Sequence, residues 1–244
     1  MIFDKNLLDE VNNKFGVVPL DDLVILMYIV KHLTPYQHVL EIGSWLGRSA
    51  YAMARIKNPD VVLHLVDPFQ SNPDNGNFKT TSWDILNHYY KFKKVCSYMD
   101  EKLIESYRDK IVEHNYDNLP LVKEILSDFS SSINYHKCYS KDFTITFHPA
   151  FSFVDGDHTY EGCRADLEKI GFYDELVAVH DFDQKEVMQA TLDYIKETKK
   201  EFRVFNNNRL CIILDKDKNW LPIINELRLQ IKLGYGYEYR NFWR

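Results

Sequence analysis

His38-Val39-Leu40-Glu41-Ile42-Gly43-Ser44-Trp45-Leu46-Gly47-Arg48-Ser49-Ala50 is the stretch that decides the fold. Val39, Leu40 and Ile42 form a short apolar run, the pattern of a strand buried on both faces. Gly43 breaks the run. Gly47 stands where a helix begins, spanning Arg48 to about Ile56, with Ala50, Met53 and Ala54 at helical spacing. A strand, a glycine turn and a helix start place backbone N–H groups and a positive helix end at the carboxyl edge of a sheet. Open α/β sheets bind nucleotide-like ligands there. Gly43 removes a Cβ that would hold a ligand off the backbone, and Gly47 lets helix and ligand lie close. The competing reading is a tight turn whose glycines serve packing alone.

Downstream, Val61-Val62-Leu63-His64-Leu65-Val66-Asp67 reads as a second buried strand, with Asp67 at its end, 20 residues beyond Gly47. Neighbouring strands lie about 4.8 Å apart, so this carboxylate reaches a ligand held at the first turn and suits two vicinal ribose hydroxyls. The spacing Glu-x-Gly-x-x-x-Gly differs from the Gly-x-Gly-x-x-Gly of dinucleotide sites. It favours S-adenosylmethionine (SAM) over NAD.

Upstream, residues 1–19 read as a short lead-in, followed by a helix from Asp21 and Asp22 through His32 that Pro35 ends. Further along, the pattern predicts strands at Ile133–Ser140, Phe151–Val154 and Leu176–Val179. Helices follow at Arg164–Gly171, Glu186–Lys199 and Trp220 to Leu233. Phe202–Phe205 and Leu210–Leu214 flank Asn206-Asn207-Asn208-Arg209, a hairpin signal because Asn tolerates positive φ. The expected architecture is a Rossmann-like, doubly wound α/β domain over 1–244. Its seven-stranded sheet is mostly parallel with an antiparallel C-terminal hairpin strand. Residues 71–129 form an insert, helical from Trp83 to about Tyr107, broken at Leu119-Pro120 and helical again from Leu121 to Phe129. It reads as a cap over the carboxyl edge or as a homo-oligomer interface. The C-terminal helix and an aromatic tail occupy 219–244.

A formal net charge of −6 over 244 residues argues against a nucleic-acid partner. The longest apolar run, Leu23 to Val30, is too short to span a bilayer. Met1-Ile2-Phe3-Asp4-Lys5 lacks the basic-then-apolar pattern of a signal peptide. Cys96, Cys138, Cys163 and Cys211 form no CxxC pair, which fits reduced thiols in a cytoplasmic protein.

Polar or acidic residues end four strands at one edge: Gly43, Asp67, Asp155 and Asp181. Around the last two stand Asp157, His158, His180 and Asp183. Carboxylate oxygens suit Mg²⁺ or Mn²⁺, and a helping His shifts the preference toward Mn²⁺ or Fe²⁺. The alternative is a set of aspartates that cap helices. His64, inside a strand, reads as a satisfied core histidine, and His88, His114 and His148 carry no context.

Leu40 to Ala50, Val66-Asp67-Pro68-Phe69 and Phe153-Val154-Asp155-Gly156-Asp157-His158-Thr159-Tyr160-Glu161-Gly162 together resemble the class I SAM-dependent methyltransferases. The match is to the subgroup with an Asp-Gly-Asp-His-Ser-Tyr-Glu-Gly segment, which includes small-molecule and sugar O-methyltransferases and cephalosporin-hydroxylase-like proteins. It covers about 38–70 and 132–215 in pieces. The resemblance implies that Glu41, Gly43, Ser44 and Gly47 hold the methionine part of SAM. It places Asp67 on the ribose, Ser140 near the adenine and Asp155 at the edge of the cofactor site. In metal-dependent relatives the positions of Asp155, His180 and Asp181 hold Mg²⁺ or Mn²⁺, and Asp157 or His158 matches the general base. Two departures stand out: Phe172-Tyr173-Asp174-Glu175 replaces a common Gly-Gly pair, and His180-Asp181 replaces two adjacent carboxylates. The expected activity is methyl transfer to a hydroxyl of a small molecule or sugar. The alternatives are a metal-dependent hydroxylase or hydrolase and a non-catalytic SAM-binding protein.

Overall fold

A computed structural model of the chain describes residues 3–70, 101–171, 176–215 and 220–232. Seven strands form one sheet: β1 (His38–Ile42), β2 (Val62–Asp67), β3 (Ile133–Lys137), β4 (Pro149–Val154), β5 (Leu176–Val179), β6 (Glu201–Phe205) and β7 (Leu210–Leu214). Their spatial order is β3-β2-β1-β4-β5-β7-β6. The first five run parallel, while β7 pairs antiparallel with both β5 and β6. The described helices are α1 (Lys5–Asn12), α2 (Leu20–Lys31), α3 (Arg48–Ile56), α4 (Glu101–Glu113), α5 (Leu119–Ile125), α6 (Tyr160–Ile170), α7 (Lys185–Thr198) and α8 (Trp220–Lys232).

The unbroken apolar character of the strands has a direct cause: both faces of the sheet are covered. Val39, Phe151, Phe153, Leu210, Ile212 and Leu214 join the core shared with α1, α2, α3 and α8. Leu40, Ile42, Val154, Cys211 and Ile213 point the other way, against α6 and α7. Along α2, every residue from Asp22 to Val30 is buried. A third cluster of Phe15, Leu46, Ile111 and Leu121 joins α4 and α5 to the loop after β1. No described helix is long and apolar enough to cross a membrane.

The β1 strand and α3 fall where the sequence places them, and the hairpin turn has positive φ at Asn206, Asn207 and Asn208. Several boundaries differ: the helix expected to end near Tyr107 runs to Glu113, the one expected to reach Phe129 ends at Ile125, β4 starts at Pro149, and four more differences are local. The lead-in contains α1, N-capped by Asp4, whose side chain accepts from the Leu7 N–H. Leu119-Pro120 opens α5 instead of breaking a helix, since proline suits the first turn where no N–H is needed. Thr159 caps α6 through the Gly162 N–H, so that helix starts at Tyr160, ahead of Arg164. β3 stops at Lys137, and Ser140–Asp142 form a short 3₁₀ turn. Of the helix expected from Trp83 to Tyr107, the part before Glu101 lies outside the described residues, as do Phe172–Glu175 and the tail beyond Lys232.

Gly43 has φ +89°, and a Cβ there would lie 2.1 Å from the carbonyl oxygen of Asp155. Gly47 has φ +78°, and its nearest obstacle is a side-chain methyl of Val122 at 3.0 Å. Both conformations strain an L-residue, but only at position 43 does backbone block the space. Gly43→Ala is therefore expected to cost more than about 3 kcal/mol, and Gly47→Ala only about 1–2 kcal/mol. Urea unfolding of the two variants checks the order; equal losses would contradict it.

Candidate functional site

The carboxyl ends of β2, β1, β4 and β5 lie side by side, so Asp67, Gly43, Asp155 and Asp181 share one edge. The turn after β1 is tied to both neighbouring strands. The Gly43 N–H donates to the Val66 carbonyl at 3.0 Å, and the Asp155 N–H donates to the Ile42 carbonyl at 2.9 Å. Gly47 N-caps α3 in the left-handed region with no side-chain cap. Asp67 accepts the Trp45 N–H at 2.9 Å and the Phe69 N–H at 2.5 Å, clamping the turns after β1 and β2 together. The Ser44 N–H also bonds this carboxylate, which leaves room for a further donor. Burial raises Asp67 to about 6.

Glu41 lies beneath this turn with no exposed surface. Ser49 on α3 donates to its Oε1, whereas Oε2 has no hydrogen-bond partner. Burial pushes its carboxyl up to about 8, with Asp155 and Asp67 adding to the rise against the lowering effect of Ser49 and Ser44. A buried carboxyl with a bare oxygen is a place made for a cation or a donor.

The second group surrounds Asp155. His180 is buried with Nδ1 3.0 Å from Asp155 Oδ1 and Nε2 3.3 Å from Asp22 Oδ2. Both ring nitrogens face carboxylates, which requires an imidazolium. Burial opposes that charge, but Asp155, Asp181 and Asp22 outweigh it and raise the ring well above its ordinary value. Burial alone would raise Asp155; the flanking His180 and His158 instead hold it at about 2. His158 Nε2 lies 3.3 Å from Asp181 Oδ2 and 3.6 Å from Asp155 Oδ1, with its side chain 41% exposed. Asp155, His158 and Asp181 bring their ligand atoms within 4.8 Å of one another. Two carboxylate oxygens and one imidazole form a donor set that fits Mg²⁺ or Mn²⁺.

The expected residues thus fall into two groups joined at the contact of Gly43 with Asp155. Glu41, Gly43, Ser44, Gly47 and Asp67 surround the β1 turn; Asp155, His158, His180 and Asp181 stand beside it. His180 differs from His158 in having both nitrogens engaged by carboxylates. Asp157 accepts the Thr159 N–H at 2.9 Å and shapes the approach to α6. Ser140 stands apart, past β3, where its side chain bonds Asp166 and its carbonyl accepts from Lys169.

Three supporting residues have no motif. Asp22, in the first turn of α2 and fully buried, accepts from Arg209 Nε at 2.7 Å and Asn206 Nδ2 at 2.6 Å as well as facing His180. In the sequence, Asp22 reads as a helix-start acid and Asn206 as a turn former. Their meeting spans 184 positions, and no local pattern records it.

No protein-family model and no curated protein matches the chain. Solved structures do. A methyltransferase from Geobacter sulfurreducens superposes with TM-score 0.55 at 11% identity, covering 86% of this chain and 88% of that one. An O-methyltransferase from Bacillus cereus, in complex with SAH, gives 0.52 at 12% identity over 88% and 93%. Precorrin-6y C5,15-methyltransferase from Geobacter metallireducens gives 0.51 at 7% identity over 81% and 88%. The chain is similar to these in fold.

Glu41 makes a signed prediction. Its folded value of about 8 lies above the ordinary 4.5, so between those limits unfolding releases a proton and stability falls as pH rises. Glu41→Gln removes this term. The variant is expected to match the wild type near pH 4.5 and to exceed it by about 2–3 kcal/mol at pH 7. Chemical unfolding across this range checks it; a constant difference would contradict the buried protonated state.

Proposed function

We propose that the chain is a SAM-dependent methyltransferase acting on a hydroxyl of a small molecule or sugar. The observation that carries the cofactor assignment is Glu41, buried under a glycine turn with one oxygen unpartnered. SAM has an ammonium and a sulfonium and is a net cation at neutral pH. Facing Glu41, Asp67 and Asp155, it gains attraction where a pyrophosphate cofactor would meet repulsion. In this reading Glu41 would pair with the SAM ammonium, Asp67 would accept from a ribose hydroxyl and Ser140 would border the adenine.

Methyl transfer is a displacement at carbon. The acceptor oxygen forms a bond to the methyl group as the carbon–sulfur bond breaks, leaving neutral S-adenosylhomocysteine (SAH). The sulfonium is already a strong electrophile, so the protein has to align the pair and accept the hydroxyl proton. His158 supports the second role, being the exposed imidazole of the cluster and oriented by Asp155 and Asp181. His180, locked between Asp22 and Asp155, keeps the latter ionised and in place. Where a divalent ion is bound, Asp155, Asp181 and His158 would hold it in place of His158's proton-accepting role, and its charge would lower the pKa of the acceptor hydroxyl.

Titration calorimetry with SAM, SAH and NAD⁺ in EDTA tests the reading. SAM is expected to bind in the micromolar range and more tightly than SAH, which lacks the sulfonium charge, with no binding of NAD⁺. His158→Gln should keep SAM affinity and lose about 100-fold or more in transfer of labelled methyl groups to a panel of hydroxylated acceptors. Absence of SAM binding would overturn the proposal.

A further inference from the structure

The sheet face that packs against α6 and α7 carries three histidines outside the acidic cluster. His64 pairs in register with Leu40 and His136 with Val66, so His38, His64 and His136 share one face and step diagonally across β1, β2 and β3. His38 Nδ1 lies 3.0 Å from His64 Nε2, and His64 Nδ1 lies 3.1 Å from His136 Nε2. Over them runs the connection from Cys138 to His148. Phe147 stacks on His64 with ring centroids 3.6 Å apart, and Phe143 lies 4.5 Å from His136. The same strap carries Ser140.

Counting protons limits what this ladder tolerates. Each nitrogen–nitrogen contact needs one proton, and a neutral imidazole has one N–H. Three neutral rings place two N–H groups in the contacts and one outside. One excess proton fills the last outward nitrogen. A second has nowhere to go except a bridging position, where two N–H groups then oppose each other. Both hydrogen bonds therefore survive at charge 0 or +1, and one must break at +2.

We propose that the His38–His64–His136 ladder is a proton-counting clasp that holds the 138–148 strap closed at neutral pH and releases it in acid. Release withdraws Ser140 from the edge, and its effect on cofactor affinity rests on the SAM reading above. Burial lowers all three rings, His64 to about 3 with its two neighbours adding to the effect. Opened rings take protons near 6.5, so opening is favoured progressively as pH falls below that value. The strap carries Cys138, Tyr139, Lys141, Asp142 and His148 as titratable or charged groups, β3 carries Lys137, and α6 carries Glu161, Arg164, Asp166, Glu168 and Lys169. Lys169 is spent on the carbonyls of Ser140 and Phe143. Asp166, raised by burial to about 6, acts with the opposite sign, because a carboxyl raised in the closed state favours closure as pH falls.

Hydrogen exchange of the full-length protein, corrected for intrinsic rates, decides between them. In the wild type, exchange of 138–148 is expected to rise at least tenfold between pH 7.5 and 5.0, while the β4 and β5 amides stay protected. His64→Phe keeps an aromatic ring under Phe147 and should abolish this dependence. His136→Gln should weaken it and serves as the second variant if His64→Phe does not fold. An unchanged wild-type strap, tighter closure in acid, or equal acid opening in the variants overturns the clasp. SAM titrations at both pH values form a separate arm. A strap that opens in acid in a protein that never binds SAM upholds the clasp and removes the cofactor reading. SAM affinity that ignores opening overturns the link to Ser140.

Discussion

The approach of residue 43 to the Asp155 carbonyl is the constraint on which the carboxyl edge depends. With 2.1 Å between that oxygen and a notional Cβ, only glycine lets β1 and β4 turn over the edge together. Close contact there is what makes one site from two motifs 112 positions apart in the chain. The glycine turn holds the N-terminus of α3 toward the edge, and the partner strand delivers Asp155 beside it. Asp67 then clamps the turn from the other side through the Trp45 and Phe69 amides.

The electrostatics of the edge follow from this crowding. Glu41, Asp67, Asp155, Asp181 and Asp22 are brought close with little water, and the protein answers each differently. Glu41 takes up a proton, at about 8. Asp155 stays ionised because His180 is fixed against it as a cation. His180 in turn is held by Asp22, which pairs with Arg209 and accepts a hydrogen bond from Asn206 of the hairpin. α2 and the last hairpin thus support the chemistry through His180, and removal of one partner of such a buried pair leaves an unpaired charge, worth about 3–5 kcal/mol. What remains accessible is His158, together with the unsatisfied demand of Glu41 for a cation.

Much of this was legible in the sequence, for identifiable reasons. The β1–turn–α3 unit is local: apolar run, positive-φ glycine and helix start follow one another with no long-range contribution. The parallel order of the strands follows from their alternation with helices, and Asn206–Asn208 announce their turn by their tolerance of positive φ. What the sequence hid is long-range or context-dependent. Proline at position 120 reads as a breaker until its place in the first turn of a helix is known. Asp22 looks like a dipole-matching acid, and its burial against Arg209 is visible only in three dimensions. His64 reads as a satisfied core residue, and it is one. Its partners are two other histidines, His38 and His136, and their diagonal register is set by the pairing of three strands. The pairing of His158 with Asp181 and of His180 with Asp22 is likewise long-range, and nothing in His180-Asp181-Phe182-Asp183 declares it or the positive φ at Asp181.

The central claim is that a buried, protonated Glu41 awaits the positive end of SAM. Calorimetric titration with SAM at pH 7 in two buffers of different ionisation enthalpy counts the protons exchanged on binding. Release of about one proton is predicted, because a group near 8 is mostly protonated at pH 7 and ionises when the ammonium arrives, and Glu41→Gln should release none. SAM binding with no proton exchange, or with the same exchange in the variant, would contradict the account.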